Sequence, residues 1–196
     1  MKPSLPAIER HPWPPFIPRD PRLLMLGTFP PKPERWSMPF YYPNRINDFW
    51  RICGIVFYGN RDYFWNETER RFRQGDIERM LTERHIALWD TGMAVRRLRD
   101  NASDKFLEIV EEIELERLLM SHSTIGAVVT TGEKATAVVA GQMGVEVPAI
   151  GQPVCAEMAG RSVALWRMPS SSRAYPLSLD KKADAYRVMF DALHIL

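Results

Sequence analysis

Two loops hold the residues best suited to chemistry. The first follows the apolar run Leu23-Leu24-Met25-Leu26 and reads Gly27-Thr28-Phe29-Pro30-Pro31. It leads on to Pro39-Phe40-Tyr41-Tyr42-Pro43 and to Asn47-Asp48-Phe49-Trp50. The second lies ~140 residues further on, follows Leu165-Trp166-Arg167, and reads Met168-Pro169-Ser170-Ser171-Ser172-Arg173. Each apolar run has the character of a buried strand that stops at a Gly- or Pro-bearing loop. Ligands of open parallel sheets bind just beyond the carboxyl ends of the strands. The two loops, one aromatic and one rich in hydroxyls, are therefore expected to form two walls of one pocket.

Each group also has a plain reading. Gly27 serves either as turn chemistry or as a point where the backbone approaches a ligand closely. Phe40, Tyr41 and Tyr42, set between two prolines, are either an anchor to the core or a π face for a nucleobase, a contact worth about 1–3 kcal/mol per base. Asn47 precedes an apolar-periodic segment and suits a helix N-cap; its carboxamide can also orient a water or read a base edge. Ser170, Ser171 and Ser172 make either a turn or a set of hydroxyls and N–H groups for a phosphate, and Arg173 strengthens the anionic reading.

Other chemistries lack their residues. No G-x-G-x-x-G or Walker pattern is present, and no G-x-S-x-G elbow. His11, His85, His122 and His194 show no metal-like spacing and read as structural or exposed. The groups Arg96, Arg97, Arg99 and Arg70, Arg71, Arg73 read as solvated faces. Cys53 and Cys155 are the only cysteines, which excludes a zinc or four-cysteine iron–sulfur site within the chain and suits buried reduced thiols. A net charge of +2 demands no nucleic-acid partner by itself, so such a partner must be held by local basic residues.

The elements that position these loops follow from periodicity. Continuous apolar runs at Leu23–Leu26, Ile86–Trp89, Ala127–Thr130 and Val163–Met168 read as strands covered on both faces. Helical patterns lie between them: one from near Asn47 through Cys53, then Asp76 to Arg84, Leu115 to His122, Glu133 to Met143, and Leu179 to Leu193. The last has Leu179, Ala183, Tyr186, Phe190 and Leu193 on one stripe. Residues 105–114 fit a strand or a helix start. Alternating strands and helices give an α/β fold, a three-layer α/β/α sandwich around a mainly parallel, four-stranded sheet. Residues 1–21, with Pro3, Pro6, Pro12, Pro14, Pro15, Pro18 and Pro21, form a Pro-rich extension expected to dock on the body through Trp13 and Phe16. Residues 22–196 form one domain. No run approaches the roughly 18–20 apolar residues of a membrane span, and no signal-peptide core is visible, so a cytoplasmic protein without a membrane partner is expected.

Taken in this order, the motifs resemble the uracil-DNA glycosylase superfamily from about Leu23 to Leu193. Gly27-Thr28-Phe29-Pro30 stands where that superfamily has its first motif, a Gly-x-x-Pro loop. Pro39-Phe40, Pro43 and Asn47-Asp48-Phe49-Trp50 resemble the P-F-x-x-P…N-R-F-W run of the mismatch-specific uracil/thymine branch. Met168-Pro169-Ser170-Ser171-Ser172 resembles its second motif, and Ile86-Ala87-Leu88-Trp89-Asp90 resembles a run of the hypoxanthine-type branch. The chain departs from the pattern in three places. Phe29 replaces the catalytic Asn of the mismatch-specific branch. Two extra residues separate Pro43 from Asn47. Asp48 stands where an Arg is usual.

The resemblance implies a monomeric DNA repair glycosylase that needs no cofactor and hydrolyses the N-glycosidic bond of uracil, hypoxanthine or a mismatched base after flipping it from the duplex. In that reading Asn47 holds the water and Asp48 is a candidate general base. The Gly27, Thr28 and Phe29 loop binds the base and Phe40 stacks on it. Pro169, Ser170, Ser171 and Ser172 grip the DNA, and Arg173, with Tyr175 as the second choice, fills the hole in the stack. Two rivals stand beside it: a non-catalytic module that binds a base or damaged DNA, and an α/β enzyme acting on free nucleosides or nucleotides.

Overall fold

Short apolar runs separated by amphipathic segments dictate the order of elements. The computed structural model of the chain describes residues 5–99 and 104–196, so Pro3 of the Pro-rich extension lies outside the described residues. In chain order the elements are β1 (Ile8–Arg10), β2 (Leu23–Gly27), α1 (Phe49–Tyr58), β3 (Trp65–Asn66), β4 (Arg71–Phe72), α2 (Gln74–Glu83), β5 (Ile86–Asp90), β6 (Gly92–Arg97), β7 (Leu107–Glu112), α3 (Leu115–Ser121), β8 (Ala127–Thr131), α4 (Glu133–Met143), β9 (Pro153–Met158), β10 (Arg161–Met168) and α5 (Leu179–Ala192).

The central sheet has the order β5-β2-β8-β10-β9. The pairs β2–β5, β2–β8 and β8–β10 are parallel, whereas β9 runs antiparallel to β10 at the edge. The four expected strands thus form the parallel ladder, but the sheet has five strands. The fifth escaped sequence reading because β9 begins at a proline and only half of its residues face inward, the alternation typical of an edge strand. A second, antiparallel sheet has the order β1-β6-β7. It resolves the ambiguous stretch 105–114, where Leu107–Glu112 is a strand.

Alternate residues of each central strand enter opposite cores, as the period of two requires. Leu23, Met25, Leu88, Val129 and Trp166 pack with α1, α2 and α5 through Phe49, Trp50, Ile77, Met80, Tyr186 and Phe190. Leu24, Leu26, Ala87, Val128 and Leu165 pack with α3 and α4 through Leu115, Leu119, Val139 and Ala140. The result is a helix–sheet–helix sandwich. Helix α1 ends at Gly59, whose φ of +64° suits the left-handed cap glycine favours.

The described part of the Pro-rich segment lies along the body. β1 pairs with β6, the Phe16 N–H donates to the Leu88 carbonyl at 3.0 Å, and the Tyr41 hydroxyl donates to the Pro14 carbonyl at 2.8 Å. Cys53 is buried, and burial pushes its thiol pKa up. Cys155, expected to be buried as well, is exposed on the edge strand β9. Among the described residues, no helix is long and apolar enough to cross a membrane.

Candidate active site

Parallel strands must end together, and here they end at a cleft. Gly27, Asp90, Thr131 and Met168, the last residues of the four parallel strands, all line a cavity of about 1050 Å³. The loop after β2 supplies Thr28 and Phe29. The loop after β10 supplies Ser170, Ser171, Ser172 and Arg173, and Asn47 lies between them on the same cavity. The two loops singled out in the sequence therefore do share one pocket.

Three of the candidate residues do not line it. Phe40 is 7% exposed and packs with Phe16, Tyr41 and Trp50 in the core. Tyr42 takes the place at the cleft instead. Pro169 is buried, and its carbonyl accepts the Tyr186 hydroxyl at 3.0 Å. Asp48 is also withdrawn, for an electrostatic reason. Its Oδ2 accepts the Lys182 ammonium at 2.9 Å, its Oδ1 lies 3.6 Å from the Arg173 guanidinium, and the Lys182 side chain is fully buried. Lys182 also donates to the Ser172 carbonyl at 2.7 Å, and the Asp48 N–H donates to the Ser171 carbonyl at 2.8 Å. A carboxylate shared by two cations is a clamp between α1, α5 and the serine loop. Lys182 was not singled out in the sequence, although it sits four residues before Tyr186 on the buried stripe, where a lone charge demands a partner.

The N-cap of α1 falls on Asp48 and not on Asn47. Asn47 still serves the helix start, because its Oδ1 accepts the Phe49 N–H at 2.9 Å, one of the donors a helix leaves unpaired.

Gly27 is needed for space, not for an unusual dihedral. A Cβ built there would lie 2.4 Å from Asp90 Oδ1. Asp90 is opposite Gly27 in the β2–β5 register and only 6% exposed. The Nε2–H of His11 donates to Asp90 Oδ2 at 2.9 Å, and the two side chains are 4% and 9% exposed. His11, read from sequence as structural or exposed, is of the structural kind, a buried partner of a cleft carboxylate. Asp90 carried a sequence signal, an acid closing an apolar parallel strand.

A second acid, Asp104, accepts the Thr28 hydroxyl at 2.7 Å. Burial raises its pKa above the ordinary carboxylate value, and the Thr28 bond and nearby Lys134 and Arg97 offset this only in part. Tyr42 has a φ of +48°, a strained conformation for a bulky residue. It is held by its ring, stacked on Phe49 at 3.8 Å, and by a hydrogen bond to the Thr131 hydroxyl at 2.9 Å. Burial, and then the charge of Asp90, raise its pKa, so the phenol remains neutral at the cleft wall.

No protein-family model matches the chain, and no curated protein matches it significantly. Among solved structures it is similar to the solution NMR structure of a protein from Methanosarcina acetivorans provisionally described as a uracil DNA glycosylase. The two are 22% identical with a TM-score of 0.62, and the match covers 96% of this chain and 99% of that one. The chain shares the fold of that protein.

Lys182→Met takes away the buried partner of Asp48 and leaves it only the half-exposed Arg173, so it should cost up to about 3–5 kcal/mol in urea unfolding, whereas adding Asp48→Asn should recover most of the loss. Asp104 binds its proton more tightly folded than unfolded. Its contribution is therefore complete below the ordinary value of 3.8 and is lost as pH rises through the raised folded value. Thermal unfolding of Asp104→Asn should accordingly gain on wild type as pH rises from acid toward neutral; a difference that is flat with pH would contradict the assignment.

Proposed function

We propose that the protein is a monofunctional DNA glycosylase that removes a deaminated or mismatched base, uracil or hypoxanthine, by hydrolysing its N-glycosidic bond. The observation that carries the reading is the convergence of the Gly27–Phe29 loop, Asn47 and the Ser170–Arg173 loop on one cleft at the carboxyl end of the sheet. Basic side chains also border that cleft: Arg35, Lys105, Lys134, Arg167 and Arg173, whereas the Arg97 side chain is buried against Glu9. They supply the local charge that a DNA backbone needs where the net charge of the chain does not.

The target nucleotide is drawn out of the duplex, at a cost of a few kcal/mol. The hydroxyls of Ser170, Ser171 and Ser172 bind phosphate beside it; the Ser172 N–H is already given to the Ser170 Oγ. Arg173, half-exposed at the rim, fills the gap in the stack. The base enters the cleft against the rings of Tyr42 and Phe29, which take the stacking part first assigned to Phe40. The backbone of the first loop is already fixed: the Gly27 and Thr28 carbonyls accept the Thr91 and Gly92 N–H groups at 2.9 Å each. Its amides bond the base carbonyl and stabilise the charge that develops as the base leaves. Asn47 orients the water. Asp48 is assigned an organising part, because its two oxygens are engaged by Lys182 and Arg173 and it does not line the cleft.

The test is cleavage of labelled oligonucleotides carrying uracil, hypoxanthine or a G·T mismatch, with alkali to break abasic sites. A strand break at one of these positions is expected. A folded protein that binds the lesion duplex but leaves every base in place would instead favour the non-catalytic module, for which Phe29, unable to orient a water, is the residue that speaks. Asn47→Ala should slow cleavage about 100-fold, the scale of losing one positioned polar group; a rate equal to wild type would remove Asn47 from the site. Arg173→Ala should weaken duplex binding more than it slows cleavage of single strands, and salt titration of binding should show a shallower slope by about one ion. Equal loss on both substrates would sink the wedge role.

A further inference from the structure

Hydrolysis at C1′ needs a group that takes a proton from water, and the motif residues leave that place empty. Asp48 does not line the cleft and is occupied by Lys182 and Arg173. Asn47 is an amide, not a base, and its Oδ1 already accepts the Phe49 N–H. Phe29 has no proton chemistry. Thr28 holds a further cleft acid, Asp104, through its hydroxyl, and Glu133, the third acid of the lining, is exposed at the start of α4.

Resting on the glycosylase reading, we infer that Asp90 is the carboxylate that holds and deprotonates the attacking water, and that His11, from the N-terminal segment, is its positioning residue. Asp90 lines the cleft at the carboxyl end of β5, level with Gly27 of the first loop. Its two oxygens have different surroundings. Oδ2 is bound by His11 Nε2 at 2.9 Å. Oδ1 takes no hydrogen bond from another described residue and occupies the space that a side chain at position 27 would fill, 2.4 Å from the ideal Cβ. Glycine at 27 thus leaves room for this oxygen beside the loop that binds the base.

His11 is rigidly held. Its Nδ1 lies 2.8 Å from the Trp13 carbonyl, its ring stacks on Tyr41 at 5.9 Å, and it meets Phe29 edge-on at 5.5 Å. A general base must be fixed within reach of its proton, and this packing fixes the carboxylate through its imidazole partner. The chain leading to His11 is itself anchored, since β1 ends at Arg10 and the His11 N–H donates to the Met93 carbonyl at 2.9 Å. The segment before β2 therefore completes the site.

The step balances without a co-reactant beyond water. The water oxygen bonds to C1′ as the C1′–N bond breaks, and the bonding pair leaves with the base. The water's proton passes to Asp90 Oδ1 and then to solvent, and the base anion takes a proton from solvent. The product is an abasic sugar.

Single-turnover cleavage of a uracil or hypoxanthine duplex, read alongside duplex binding and thermal unfolding, tests the assignment. Asp90→Asn should lose about 100-fold or more in rate, the scale of general base catalysis, with binding within threefold of wild type. His11→Ala should lose about tenfold, and His11→Gln, which keeps an N–H donor for Asp90, should regain most of it; this comparison also stands if Asp90→Asn fails to fold. An Asp90→Asn enzyme that cuts within threefold of wild type, or a His11→Gln enzyme no faster than His11→Ala, overturns the inference while the glycosylase reading stands. A wild-type protein that cuts none of the substrates overturns both.

Discussion

The buried ion pair between Asp48 and Lys182 is the constraint on which the geometry of the cleft depends. It is made by residues 134 positions apart in the chain, one just before α1 and the other in the first turn of α5. With it come the Asp48 N–H bond to Ser171, the Lys182 bond to the Ser172 carbonyl and the Tyr186 bond to the Pro169 carbonyl. Three of these contacts reach the serine loop, one from the start of α1 and two from α5, and the ion pair joins the two helices. A buried pair of this kind is weak as a source of net stability, because desolvation consumes much of the attraction. Its value is positional: the charges have few other places to go, so the loop and the helix start share one arrangement.

The opposite wall is organised by exclusion. Gly27 and Asp90 end adjacent parallel strands, and the absence of a side chain at 27 is what admits the carboxylate oxygen. His11 and Tyr41 close in behind it, tying the Pro-rich segment to the cleft by packing as well as by the β1–β6 ladder. Tyr42 tolerates a left-handed backbone between this wall and Phe49, and strain of this type persists only where neighbours over-determine it. The site is therefore built on strand ends and braced side chains, the arrangement that keeps reacting groups in place.

Much of this was legible in the sequence, and the failures have physical causes. The runs at Leu23–Leu26, Ile86–Trp89, Ala127–Thr130 and Val163–Met168 announced themselves because strands buried on both faces are apolar without interruption. Strands β6 and β9 did not: β9 turns alternate residues to solvent, and β6 is a short run that mixes a glycine and two arginines with its apolar residues. The shared pocket could be read from the two loops, since strand ends converge in parallel sheets. Which side chains enter the pocket could not. Phe40 and Tyr42 are two residues apart in the same aromatic run, and only the fold decides that the first is core and the second is wall. Asp48 looked like chemistry because its partner, Lys182, is distant in the chain. His11 looked inert because its partner, Asp90, is equally distant.

The central claim, that the cleft between the Gly27 and Ser170–Ser172 loops takes an extruded nucleotide, is tested most directly by a structure of the protein with a duplex whose target deoxyuridine or deoxyinosine carries a 2′-fluorine to block cleavage. The account predicts the base in the cleft against Tyr42 and Phe29, phosphates on Ser170, Ser171 and Ser172, and C1′ within reach of a water held between Asn47 and Asp90. A duplex bound elsewhere on the surface, or bound with every base still stacked and the cleft empty, would contradict it.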